Sequence, residues 1–355
     1  MTLYPLKKAL AVFGRQMTDL DSSQALPDFS KNADGRTLKS WSSEDLSRVG
    51  ERFGFLPKLK QPVAASVFVT KGGVLKSTLT LNLARLAALH GIRTCVVGLD
   101  MQGDISMTLG EASFEDHTLQ EALEKMASVK GLAQLYVGDA TLDDVLKPTD
   151  LPNLFYIPET PELVVLDQSL MNRNRREYWL RDNVVMPLKR EFDLVLMDCS
   201  PNWNRLITNA LVASDVLISP LECKINNFRN LTTFRALVQE FSRDMGTNFK
   251  HLFVPTRFSP TRKLSQDIRA WYAEHLDACS ETAIRESIQG EEATAMRISI
   301  PEFAPTSVAA VEMRALITEL WQTLSNELIL DEKDTSSVRD NDKHINKETT
   351  SWQSV

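Results

Sequence analysis

Three observations predict an α/β fold: a doubly wound, mostly parallel sheet carrying a small helical N-terminal extension. From Val63 onward short β-rich runs alternate with helical stretches, the runs are apolar almost throughout, and the turns between them are short. Strands without polar alternation belong to sheets covered on both faces, and strand–helix alternation implies parallel neighbours joined by right-handed crossovers. Strands are expected at 65–70, 94–99, 154–157, 193–198, 216–219 and 252–254, with a helix over 78–90 closed by Gly91.

The first sixty residues read differently. Leu6, Leu10, Phe13, Met17 and Leu20 fall at spacings of 4, 3, 4 and 3, which predicts one helix with a narrow apolar stripe. The stripe fits two uses, a helix laid on the main domain or a self-association helix. A polar connection over 21–37 follows. Ser42, three residues before Asp45, marks the cap of a second helix bearing Leu46, Val49 and Phe53 and ending at Gly54. At the other end, Val311, Met313, Leu316, Ile317, Leu320, Leu324 and Leu328 give a packing face to a last helix over 308–330, before a polar segment expected to be disordered. The domains read as 1–60, an accessory or self-association region; 61–330, the main domain; and 331–355, the tail.

Composition narrows the function. The chain has 355 residues, 43% hydrophobic and 25% charged, enough to bury a sizeable core. Its 40 Lys+Arg against 47 Asp+Glu leave a net charge of -7, which excludes a uniformly basic nucleic-acid coat but not a local basic patch. No apolar run approaches the roughly 18 residues of a spanning helix. Cys95, Cys199, Cys223 and Cys279 have neither zinc nor disulfide-framework spacing, and the five histidines form no ligand or triad pattern. These features suggest a cytoplasmic protein.

The most informative segment runs from an apolar strand into Lys71-Gly72-Gly73-Val74-Leu75-Lys76-Ser77-Thr78 at the start of an amphipathic helix. Unobstructed backbone N–H groups, a helix N-terminus and a lysine charge are what a phosphate site requires, and Ser77 stands where a hydroxyl would ligate Mg²⁺. The strict pattern G-x-x-x-x-G-K-[ST] fails twice, at Thr70 and Leu75.

This loop resembles that of the deviant Walker-A ATPases, and within them the ParA family of DNA-partition ATPases, whose loop reads K-G-G-x-G-K-[ST]-[ST]. Three more stretches match in order. Residues 96–104, containing Gly98, Asp100, Met101 and Gly103, resemble D-x-D-P-Q-G-N. Residues 192–201, containing Asp198, Cys199 and Ser200, resemble the Walker-B segment Y-D-x-x-x-x-D-C-P-P, and 300–305 resembles the C-terminal segment. The resemblance spans about residues 63–325 and implies a P-loop NTPase fold of the deviant Walker-A type that uses ATP and Mg²⁺.

Carried over residue by residue, the resemblance gives Lys76 the β- and γ-phosphates, with Gly72 and Gly73 letting the backbone approach and 71–78 as the nucleotide loop. Ser77 would bind Mg²⁺ and Asp198 its water shell. Lys71 would reach the ATP of a second subunit in an ATP-dependent homodimer, and Asp100 would position the attacking water. For the adenine contacts the resemblance points to 255–258 and 300–304. The resemblance also implies non-specific DNA binding, stimulation by a ParB-like centromere-binding partner, and a bacterial cytoplasmic, nucleoid-associated location without stable membrane anchoring. Arg257, Arg262, Lys263 and Arg269 are the candidate DNA contacts, and Arg173, Arg175, Arg176 and Arg181 form a second cluster expected on a helix. Leu75 for glycine and Gly98 for aspartate imply slow hydrolysis. Two alternatives remain: a division-site regulator of the MinD type and a nucleotide-gated, non-catalytic scaffold.

Overall fold

The expected apolar runs lie side by side in the computed structural model, which describes residues 3–19, 27–31, 35–110 and 128–326. Seven strands form the main sheet: β3 (Val63–Val67), β4 (Thr94–Leu99), β5 (Lys147–Pro148), β6 (Leu154–Ile157), β7 (Leu194–Cys199), β8 (Val216–Glu222) and β9 (Lys250–Thr256). Their order is β5-β6-β4-β7-β3-β8-β9, and every pairing is parallel except β5 with β6. The doubly wound, mostly parallel sheet is therefore present. The edge strand β5 contains Pro148, a residue that a central strand would exclude. A second, antiparallel pair joins β1 (Leu3–Pro5) to β2 (Ser40–Ser42).

Successive strand residues face opposite layers, as the pleat requires. Val63, Ala65 and Val67 of β3 point into one core, with α3 (Lys76–Leu89) and α13 (Val308–Asn326). Ala64 points into the other, with α7 (Leu163–Ser169), α8 (Arg205–Ala213), α9 (Ile225–Met245) and α10 (Lys263–His275). Shorter helices are α4 (Asp104–Leu109), α5 (Leu132–Val137), α6 (Leu142–Val145), α11 (Ile288–Ala295) and α12 (Ile300–Phe303).

The N-terminal residues belong to the first core. α1 (Leu6–Val12) buries Leu10, and Phe13 at its end is buried too, while α2 (Ser43–Phe53) buries Leu46, Val49 and Phe53. The α2 cap is as expected, Ser42 Oγ accepting from Asp45 N at 3.2 Å. At Gly50 an added Cβ would lie 1.8 Å from Leu89 O, so α2 crosses α3 at near backbone contact. The single helix expected through Leu20 does not form. Gly14 at φ +70° turns the chain after Phe13, and Met17 is exposed on a separate short turn, Met17–Asp19. Leu20 lies outside the described residues. Of the stripe, Leu6, Leu10 and Phe13 pack into the chain's own core. Part of the polar connection is ordered as well, with Trp41 Nε1 donating to Asp28 O at 2.9 Å.

One buried cluster ties β1 and α12 to α3. Arg85 donates to both carboxylate oxygens of Glu302 at 2.8 Å, and to Asp150 at 2.7 and 2.9 Å. The Tyr4 hydroxyl donates to Glu302 at 3.0 Å. Burial alone would raise the Glu302 carboxyl, but the Arg85 charge and the paired hydrogen bonds hold it below the usual range. The expected last helix begins at Val308 and is described to Asn326; the tail 331–355 lies outside the described residues. Among the described residues no helix is long and apolar enough to cross a membrane.

Candidate functional site

β3, β4, β7 and β8 end at one edge of the sheet, in the crevice where open α/β sheets bind ligands. The segment leaving β3 curls over that edge and enters α3. Gly73 (φ +73°) and Leu75 (φ +72°) both adopt left-handed backbone, and Cβ atoms at Gly72 or Gly73 would meet nothing within 4 Å. The face of the loop is clear of side chains there. Leu75 holds the conformation that glycine adopts freely, at a cost of about 1–2 kcal/mol.

The charged groups converge on this loop. Lys76, buried in the first turn of α3, folds back so that its Nζ donates to Lys71 O at 3.2 Å, and burial lowers its pKa against the pull of Asp198 and Asp100. Asp198, the penultimate residue of β7, accepts from Ser77 Oγ at 2.7 Å and from Thr80 Oγ1 at 2.8 Å. Burial pushes Asp198 up to about 7, the Ser77 and Thr80 hydroxyls working in the other direction. Asp104 lies 3.3 Å from Ser77 Oγ, and Asp100 accepts from Gln102 N at 3.1 Å. A hydroxyl flanked by carboxylates is a hard-oxygen donor set of the kind Mg²⁺ takes alongside phosphates and water.

Lys71 turns toward its own chain. Its Nζ donates to Glu222 Oε2 at 2.7 Å, at the end of β8. Glu222 also lies 3.2 Å from Arg257 and 3.8 Å from Lys224. A cavity of ≈560 Å³ opens beside the loop, lined by Leu75, Ser77, Thr78, Arg257, Glu286 and Ile300 among others. Arg257 and Ile300 belong to the two stretches expected at the adenine.

The candidate DNA contacts divide. Arg257 is turned inward by a left-handed backbone (φ +49°), donating to Gly73 O at 2.8 Å and pairing with Glu286 at 2.7 Å. It is a loop-side group. Arg262, Lys263 and Arg269 lie at or on α10, with Lys263 paired to Asp267 and Arg269 stacked on Phe258. The second arginine cluster is not on one helix: Arg175 at φ +52° breaks it into short turns. Arg176 and Arg181 pair with Glu177 and Asp182, and Arg175 and Arg181 flank Tyr178.

Sequence reasoning missed Thr80, Glu159 and Glu222. Thr80 follows the loop too closely to stand out from a helix-start hydroxyl, and the two glutamates reach the site from strands far along the chain. Glu159, buried after β6, accepts from Ile105 N at 3.2 Å and Ser106 N at 2.8 Å, and also from the Ser106 hydroxyl. Burial raises its carboxyl, and these donors work against the rise.

A family described as "AAA domain" matches residues 64–251, more than half of the chain. Among curated relatives, the chromosome partitioning protein ParA of Myxococcus xanthus is 32% identical over 181 residues, covering 51% of this chain and 59% of that protein. The chromosome-partitioning ATPase Soj of Treponema pallidum is 28% identical over 260 residues, covering 72% and 95%. The chain belongs to the ParA/MinD family of ATPases. Solved structures with the same fold include a plasmid partition protein of Borrelia burgdorferi bound to AMPPNP, at TM-score 0.60, 18% identity, and coverage of 74% and 100%. The cobyrinic acid a,c-diamide synthase of Mycobacterium smegmatis, bound to an ATP analog and magnesium, matches at TM-score 0.60, 22% identity, and coverage of 75% and 96%. Those two likenesses establish the ParA-like fold and no more.

Proposed function

We propose that this protein is a DNA-partition ATPase that binds ATP with Mg²⁺, dimerises around the nucleotide, binds DNA without sequence preference and hydrolyses ATP slowly under stimulation by a ParB-like partner. The observation that carries the reading is the convergence of Lys76, Lys71, Ser77 and Asp198 on an open loop at the carboxyl edge of the sheet. Phosphoryl transfer needs positioning and charge neutralisation, which two lysines and loop amides supply. Ser77 and Asp198 would hold Mg²⁺, which when bound neutralises phosphate charge. Asp100 orients the attacking water. Lys71, held in cis by Glu222, is freed to act on a partner's nucleotide.

DNA affinity in this reading comes from Arg262, Lys263 and Arg269, doubled when two subunits pair, while the net charge of -7 keeps the monomer a poor DNA binder. Residues 1–60 act as an accessory layer of the 61–330 ATPase domain. The test is DNA co-sedimentation without nucleotide, with ADP and with ATP, at two salt concentrations, for wild type, Lys71→Ala and Lys76→Ala. Pelleting that requires ATP, weakens with salt and is lost in both variants supports the reading; equal pelleting in every nucleotide state overturns it. A non-catalytic scaffold is favoured by one observation, the left-handed Leu75, and is decided by turnover in the same samples.

A further inference from the structure

Gly98 stands where the motif it resembles has an aspartate, and it sits opposite Asp198 in the register of β4 with β7. The space a side chain would take there is full. A Cβ built on Gly98 would lie 2.3 Å from Cδ, 2.5 Å from Cγ and 2.6 Å from Oε1 of Glu159. Glu159 arrives from the other side, since β4 lies between β6 and β7 and Glu159 follows β6. A carboxylate is thus present beside position 98, delivered by the neighbouring strand.

Its contacts point in one direction. Both oxygens accept from the first turn of α4, at Ile105 and Ser106, and the Ser106 hydroxyl in turn accepts from Glu159 N at 2.9 Å. That turn directly follows the loop carrying Asp100, and α4 opens with Asp104, 3.3 Å from Ser77 Oγ. We propose that Glu159 is a positioning residue that supplies across the strand the carboxylate missing at Gly98 and holds the 100–104 turn, with Asp100 and Asp104, against the phosphate loop. The apparent defect at Gly98 is an exchange of two residues, and Asp100 keeps its support. This inference rests on the proposed ATPase for its catalytic consequence and on packing alone for its structural one.

The exchange is tested with Gly98→Asp, Glu159→Ser, the double variant and Glu159→Gln, each with two readouts. The first is amide hydrogen exchange over 100–109 in nucleotide-free protein. Glu159→Ser should speed exchange in that segment selectively, Gly98→Asp should disturb it by collision with Glu159, and the double variant should restore protection. The second is ATP affinity against single-turnover hydrolysis. Glu159→Ser should slow turnover about 10–100-fold, as loss of a carboxylate behind a reacting group does, with little change in ATP affinity. The double variant should recover most of that loss, and Glu159→Gln, which keeps one acceptor, should lie between. Additive losses in the double variant, or wild-type protection and turnover in Glu159→Ser, would overturn the proposal. Were wild type to hydrolyse no ATP, the ATPase reading would fall while the exchange readout still decided the role of Glu159.

Discussion

Removing Glu302 should be among the most damaging single changes in the protein, although it touches no part of the phosphate loop. Glu302 is fully buried and Arg85 is 1% exposed, so Glu302→Ala leaves the buried Arg85 Nε without its acceptor and takes one of the two acceptors from Nη2. Losing one partner of a buried pair costs about 3–5 kcal/mol. Asp150 still reaches Arg85 from a half-exposed position and holds the figure toward the lower end. The Ser299 cap of α12, which Glu302 closes reciprocally, adds about 1 kcal/mol. We therefore expect about 4 kcal/mol, read as a fall in the urea midpoint at unchanged slope. Tyr4→Phe removes a single bond to the same carboxylate and should cost about 1–2 kcal/mol. The triple variant Tyr4→Phe, Arg85→Met, Glu302→Leu removes the three buried polar side chains of the cluster and should regain the part of the loss that does not come from the Ser299 cap, because apolar replacement of a buried pair is often neutral. A cost below about 1 kcal/mol for Glu302→Ala, or no coupling between positions 85 and 302 in a double-mutant cycle, would refute this account.

Burial lowers His90 to about 4, where its Nδ1 faces Leu86 O and its Nε2 accepts from Phe55 N. The unfolded state takes up the proton first, near 6.5, so this contribution is present at pH 7 and lost as pH falls toward 4. It should amount to about 2 kcal/mol between pH 7 and 5, and a His90→Gln variant should show a correspondingly flatter stability profile in urea titrations at several pH values. Gly50→Ala should lower the melting temperature through about 1–3 kcal/mol of overpacking, because its Cβ would collide with Leu89 O. Leu75→Gly relieves a left-handed leucine worth about 1–2 kcal/mol but gains about 0.5–1 kcal/mol of unfolded-state freedom. Stability should hardly move while single-turnover hydrolysis quickens severalfold, and slower turnover would show that Leu75 is no impediment.

The parallel sheet was legible because six of its strands are apolar on both faces, a pattern that a half-exposed strand does not produce. The runs at 94–99 and 154–157 match β4 and β6 end for end, whereas β3 closes at Val67 because Phe68 and Val69 already belong to the exit toward the loop. The two- and three-residue strands β1, β2 and β5 are too short to carry a period. Helix α1 was overextended because Met17 and Leu20 continue the stripe, while Gly14 ends it through backbone conformation. Of the site, the contiguous part was readable: Lys71 through Thr78, Asp100 and Asp198 each sit in a local motif. Glu159 and Glu222 were not, since each looks like an ordinary strand-end acid until the sheet brings it to the loop. That Arg257 contacts the loop was not readable for a related reason, because a charge's neighbours in sequence do not reveal which way a left-handed residue turns it.

Glu302 also constrains how the molecule is made. Its partner Arg85 precedes it by 217 residues, and Tyr4 precedes it by 298. At about 5–20 residues per second, roughly 10–40 s of synthesis separate the arginine from Glu302, although Asp150, its other partner, is made sooner. During that interval Asp150 is the acid at hand for Arg85, and Arg85 Nε, on the helix bearing the phosphate loop, lacks its partner. The helix bearing the phosphate loop therefore completes its packing only when the C-terminal helices are in place.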